Sequence, residues 1–257
     1  MGISEIINLA DILWTVGGAF VTVIVTFTVQ ARCKLKFKKV LGLKRNKMVC
    51  NVSVPTYKTE ILSVKRNVIV EDEVNQLLRI NQALGKIGVS SEVIVNNQDR
   101  FDEIHIGGAS VNAHTNRCFY KYLKNVKWQV SKNREAGYKK YENRDGFNFD
   151  YILESQDGRE GFLINGKLYE FIPGKKGWAI IIKIIDDKDI VAKTVHLLFG
   201  CGANGTVGAV NYFVDNNSKI YDKHKAGEYF GIFEVDKDGS KVGNVEWLDI
   251  KEFIKQV

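Results

Sequence analysis

Uncharged residues run from Ile12 to Ala31, and the run stops against a basic segment: Arg32, Lys34, Lys36, Lys38, Lys39, Lys44, Arg45 and Lys47, with no anion among them. Twenty apolar or weakly polar residues at 1.5 Å rise match a hydrocarbon core of roughly 30 Å. The sequence therefore predicts a transmembrane helix over 1–31, a basic juxtamembrane linker over 32–47 and a folded domain over 48–257. Basic flanks stay on the cytoplasmic side, and the amino end carries Glu5 and Asp11 but no Lys or Arg. The expectation is a single-pass protein of the inner or plasma membrane, N-terminus outside and C-terminal domain cytoplasmic. An acidic amino end also lacks the positive n-region of a signal peptide.

The net charge of +7 is a local property. Residues 32–47 contribute +8, which leaves −1 for everything else. A near-neutral body excludes the basic footprint of a DNA- or RNA-binding domain. The cations suit an anionic inner leaflet as partner. Cys33, Cys50, Cys118 and Cys201 lie far apart with no Cys-x-x-Cys pair, and no two histidines have ligand spacing, so neither a disulfide framework nor a metal is expected.

Along the first helix, Asp11, Thr15, Gly18, Thr22 and Thr26 recur at spacings of three and four and share one stripe. Small and hydroxyl residues at that spacing let helices approach closely and bond across an interface. This predicts a homo-oligomer associating through the stripe, with a water-lined pore as its extreme form.

From Met48 short apolar runs alternate with amphipathic ones. Strands are expected at Met48–Val54, Glu92–Val95, Glu103–Ile106, Val126–Val130, Trp178–Ile185 and Thr194–Phe199, with a terminal pair at Tyr229–Val235 and Asn244–Leu248. Helices are expected at Glu71–Lys86, Val111–Lys124 and about Thr206–Val214. The rhythm predicts an α/β, Rossmann-like, mainly parallel sheet, with inserted hairpins over 131–177.

Two glycine-rich loops leave strands and open helices. The first holds Gly107, Gly108, Ser110, Asn112, Thr115 and Asn116; the second holds Gly200, Gly202, Asn204, Gly205 and Thr206. Free backbone N–H groups and a helix dipole at such a junction suit a phosphate, so these residues are the expected contacts of a nucleotide-like ligand. The second loop meets the Gly-x-Gly-x-x-Gly spacing but sits late in the chain, without an acid at a following strand end, so NAD is not assigned. Catalytic residues stay unassigned. His105 fits a core role, His114 a phosphate contact and His196 a strand interior. Glu154 and Glu160 are candidate paired carboxylates for glycosidic cleavage, and Ser110 has no nucleophile elbow.

Gly200 to Thr206 resembles the nucleotide loop of the lysine-decarboxylase-like (LOG) Rossmannoids. It departs from them at Val207, Gly208 and Ala209, where their glutamate is absent, so their hydrolase chemistry is not implied. One membrane helix, a basic neck and a compact domain together resemble the architecture of bacterial antiviral membrane effectors. That resemblance implies a domain that senses a nucleotide-like signal and drives assembly of membrane segments. Two alternatives remain: a membrane-tethered nucleotide-processing hydrolase or glycosidase, and a tethered scaffold presenting Phe147, Phe149, Tyr151, Phe162, Tyr169 and Phe171 to a protein partner.

Overall fold

The computed structural model describes the backbone of residues 3–43, 49–61, 64–93, 102–141, 147–187 and 193–255, and their side chains except those of 3–18, 57–61, 64–68 and 139–141. In chain order the elements are α1 (Ile3–Val40), β1 (Val49–Ser53), β2 (Tyr57–Ile61), β3 (Val64–Val68), α2 (Glu71–Lys86), β4 (Ser90–Val93) and β5 (Asp102–Ile106). There follow α3 (Ala113–Tyr122), β6 (Val126–Val130), α4 (Lys132–Tyr141), β7 (Ile152–Glu154), β8 (Glu160–Ile164), β9 (Lys167–Phe171) and β10 (Gly177–Asp186). The chain closes with β11 (Lys193–Gly200), α5 (Gly202–Asp215), α6 (Asn217–His224), β12 (Tyr229–Val235), β13 (Lys241–Leu248) and a short 3-10 helix, Ile250–Glu252.

The main sheet runs β13-β12-β10-β11-β5-β1-β4. On one side of β11 the pairs β4–β1, β1–β5 and β5–β11 are parallel; on the other, β11–β10, β10–β12 and β12–β13 are antiparallel. The expectation of a mainly parallel, Rossmann-like sheet is corrected to a mixed one. The cause is the connection from β10 to β11. It spans only 187–192, too short for the helical crossover that parallel neighbours need, so the two strands pair antiparallel. Both strands are covered on two faces, which explains their largely apolar runs, Ala179–Ile182 in β10 and Leu197–Phe199 in β11.

Alternate side chains divide the core. Val52, Ile104, Ile106, Ala179, Ile181, Leu198 and Phe233 face α1, α2, α5 and α6. Ile180, Ile182, Val195, Leu197, Phe199, Phe230 and Ile232 face α3 and a second sheet. That sheet, ordered β7-β6-β8-β9, takes its other strands from the inserted section; β6, expected in the main sheet, pairs instead with β7 and β8. Phe149, Tyr151, Phe162 and Tyr169 are buried between the sheets, so they offer no aromatic surface to a partner.

The largest correction concerns the amino-terminal helix. Among the described residues no helix is long and apolar enough to cross a membrane. Over Ala19–Ala31 the described side chains of α1 are exposed and largely apolar. Beyond them α1 continues through the basic segment expected as a linker and joins the domain. Phe37, Val40 and Leu41 are buried, Phe37 lies edge-on to Phe213 at 5.7 Å, and Lys36 pairs with Asp222 at 2.7 Å. The transmembrane, single-pass and inner-membrane expectations are withdrawn on this finding. Of the association stripe, Thr22 and Thr26 are exposed on α1; the side chains of Asp11, Thr15 and Gly18 lie outside the described residues.

Because Phe37 belongs to the core, Phe37→Ala is expected to lower the unfolding free energy of the chain by about 3–5 kcal/mol in a denaturant titration. A linker residue in its place would leave the transition unmoved.

Candidate functional site

β5 and β11 are parallel neighbours, with Val195 opposite Glu103 and Leu198 opposite Ile106. Their carboxyl ends therefore release the two glycine loops side by side. Gly107, Gly108 and Ser110 form one wall of a cleft of about 430 Å³, and Gly200, Gly202 and Thr206 form another. Pro55 after β1 and Asp72, Glu73 and Gln76 of α2 close one end. Trp128 of β6, Arg134 and Tyr138 of α4 and Phe171 of β9 close the other.

The β11–α5 turn depends on an approach that only glycine permits. A Cβ on Gly205 would lie 2.5 Å from the Trp178 carbonyl oxygen and 2.8 Å from the Gly200 Cα. The turn brings the amino end of α5 into the cleft with no side-chain cap on it, since Cys201 stands at the N-cap and its own N–H donates to the Trp178 oxygen. The first-turn N–H groups of a helix lack intrahelical acceptors and carry the positive end of its dipole. Gly202 and Ala203, both exposed, line the cleft there.

α3 has the opposite arrangement. Asn112 caps it, accepting from the N–H groups of His114 (2.9 Å) and Thr115 (3.4 Å), and its Nδ2 donates to the Ile106 oxygen (2.7 Å) and Ser53 Oγ (3.1 Å). Thr115 Oγ1 donates to the Gly107 oxygen at 2.9 Å; Asn116 Nδ2 donates to the Ala109 and Asn148 oxygens. Asn112, Thr115 and Asn116 are thus buried beneath the first loop and hold its shape. Asn204 lines a neighbouring groove and donates to the Lys237 carbonyl, and Gly205 is packed away from the cleft. Of the expected ligand contacts, Gly107, Gly108, Ser110, Gly200, Gly202 and Thr206 face one space.

The sequence predicted helix α2 but not α4, and it marked none of the side chains that the two helices bring to the cleft. Asp72 and Glu73 share a helical face with Gln76, three and four residues on. Gln76 is 7% exposed, yet its Oε1 has no partner; the buried Nε1 of Trp128 also has none. Each such orphan costs about 1–3 kcal/mol unless something bonds to it. A polar residue at a buried helical position was the only signal of Gln76 in the sequence.

Beneath the first loop lies a buried polar chain. Ser53 Oγ meets His105 Nδ1 at 2.6 Å, His105 Nε2 meets Glu103 at 3.0 Å, and Lys193 Nζ meets the other Glu103 oxygen at 2.7 Å. Cys118 lies close enough that Glu103, His105 and Cys118 hold ligand atoms within 4.8 Å of one another, a donor set of transition-metal type. Burial acts to lower the His105 pKa, but Cys118 and Glu103 outweigh it and hold the imidazole at about 9. His114 stacks on His105 at 5.7 Å, away from the cleft; burial and the His105 charge push it down to about 4. Glu103 is held below the ordinary carboxylate range: burial opposes this, and His105 and Lys193 overcome it. Glu160 accepts from Arg134 at 2.7 Å, and Glu154 is exposed on β7, so neither stands in the cleft as a catalytic pair. His196 is buried against Phe213 and Tyr229.

No protein-family model matches the chain, and no curated protein matches it.

The two histidines give opposite pH limbs. His105 titrates at 6.5 unfolded and about 9 folded, so its contribution to stability is complete below pH 6.5 and is lost as pH rises through 9. His114 titrates at 6.5 unfolded and about 4 folded, so its contribution is complete above pH 6.5 and is lost as pH falls toward 4. Urea midpoints measured from pH 4 to 10 are expected to peak near neutrality, with His105→Asn flattening the alkaline limb and His114→Gln the acid one.

Proposed function

We propose that this chain is a sensor whose cleft binds a nucleotide-like anion, the phosphate resting on the uncapped amino end of α5 between the two glycine walls. The observation that carries this reading is convergence. Loops some ninety residues apart in sequence meet at the carboxyl ends of adjacent parallel strands, where one helix end is left open to an anion. The cleft volume lies within the range of small-molecule sites.

A signal has a short path out of the site. α5 begins at the cleft with Gly202 and ends near Phe213, which packs on Phe37 of α1. Binding that favours one setting of α5 would bias α1, provided the ligand prefers one of the two arrangements. We assign the readout to self-association through α1, whose largely apolar side chains from Ala19 to Ala31 are exposed. A hydrolytic reading draws its support from Asp72 and Glu73 in the cleft wall, either of which would serve as a base toward water.

Ala203→Glu sets a carboxylate at the exposed first turn of α5, where an acid favours the helix but repels an anion. Isothermal titration with pyrophosphate or ADP is expected to show at least tenfold weaker binding with the melting temperature held or raised. Unchanged binding would overturn the phosphate assignment. Release of phosphate from ADP, abolished by Asp72→Asn or Glu73→Gln, would favour the hydrolase over the sensor.

A further inference from the structure

Three donors of different chemical kinds meet beneath the first glycine loop, outside the cleft. Glu103 and His105 stand two apart on β5, so both point away from Ile104 and toward α3, and Cys118 reaches them from that helix. His105 Nε2 and a Glu103 oxygen are 3.0 Å apart. Cys118 Sγ lies within 4.8 Å of a carboxylate oxygen and a ring nitrogen of that pair. In a tetrahedral zinc site, bonds of about 2.0–2.1 Å to nitrogen and oxygen set those two donors about 3.3 Å apart. One ion of that size fits among the three with side-chain shifts of about 1 Å. Cysteine and histidine spacing alone does not announce this set, because its donors are of three types.

The outer atoms of the set are held as a metal site requires. Ser53 Oγ, 2.6 Å from His105 Nδ1, can accept its proton and so leave Nε2 as the ligand. Lys193 Nζ bonds one Glu103 oxygen at 2.7 Å, and the other oxygen is the one that faces Nε2. Such outer partners fix the tautomer and the aim of a ligand. The set is also closed: Glu103, His105 and Cys118 are 6%, 1% and 7% exposed. Structural zinc sites are closed in this way, whereas catalytic ones keep a position open. A fourth ligand is at hand in His114, whose ring stacks on His105 at 5.7 Å. It lies four residues before Cys118 on α3, a spacing at which one helical face presents two ligands.

We propose that Glu103, His105 and Cys118, completed by His114, form a structural site for a divalent ion of the zinc class. A thiolate and an imidazole beside one carboxylate select such an ion over magnesium or calcium. The ion replaces one proton on His105 and one on Cys118, so the local net charge is unchanged. It pins α3 to β5 on either side of Gly107 and Gly108 and so holds the first glycine wall. The site needs no ligand in the cleft and is independent of the phosphate reading.

The test is refolding of the full chain, without a polyhistidine tag, from urea in the presence of Co2+ as a spectroscopic probe. A thiolate-to-cobalt charge-transfer band is expected, together with the visible bands of four-coordinate cobalt. Cys118→Ser should abolish the charge-transfer band and weaken Zn2+, read by competition with a chromophoric chelator, about a hundredfold or more. Should that variant fail to fold, Cys118→Ala, with the better helix former, gives the same reading. Cys33→Ser removes the exposed thiol and should change neither signal. Zn2+ should raise the melting temperature of the unaltered chain and leave that of Cys118→Ser unmoved. His114→Gln should bind Zn2+ about tenfold more weakly. No charge-transfer band on refolding, or a band that survives the loss of Cys118, would overturn the site. Unchanged Zn2+ affinity in His114→Gln would overturn the fourth ligand.

Discussion

The parallel pairing of β5 with β11 sets the level at which both glycine loops leave the sheet, and the site follows from it. β11 is also the strand at which the sheet changes character, parallel toward β4 and antiparallel toward β13. The cleft opens at that boundary, where loops diverge to opposite faces and leave a crevice. Helices α2 and α5 wall it from one face and the second sheet with α4 walls it from the other. A shift in the β5–β11 register would separate Gly107 from Gly202 and dissolve the site.

The ends of the two helices after these strands are treated differently, for a chemical reason. Asn112 can fold its side chain back onto the N–H groups of α3, so that helix end is closed by the chain itself. At the same position of α5 stands Cys201, whose buried thiol makes no cap, and burial holds that thiol well above its ordinary pKa. One glycine loop is therefore built as a rigid wall and the other as a receptor. The chain from Ser53 through His105 and Glu103 to Lys193 stiffens the wall from below, since each charged group in it is paired. Such a network is costly to break on one side only, which fixes the loop's position as much as its stability.

Much of the local structure could be read directly. The α2 boundaries at Glu71 and Lys86 followed from its acidic start, its apolar period and its closing glycines, and the central strands followed from their long Val/Ile/Leu runs. The glycine loops stood out because tight strand-to-helix turns need residues without Cβ. Partner choice was less legible. β6 reads like any short strand, yet pairs with β8; the stretch after Arg32 reads like a basic linker, yet turns Phe37, Val40 and Leu41 inward while Lys36 and Lys39 face α6. Periodicity reports which side chains share a face but not which surface that face will meet. Asn112, Thr115 and Asn116 show the same gap: their types suited a ligand, and backbone carbonyls consumed them.

By itself the sequence determined α2, the main strands β1, β5, β10, β11 and β12, the two glycine turns and the concentration of charge between Arg32 and Lys47, because these depend on residues close together in the chain; α4, where hairpins were expected, and α6 carry no such signal. Only the tertiary structure decided that β11 would pair parallel with β5 and antiparallel with β10, and that α1 would end inside the core. It also brought Gln76, Trp128 and Gly202 to one cleft. Those outcomes are set by long-range burial, by which apolar faces can cover one another and which backbone edges remain to be paired, and no local pattern encodes that choice.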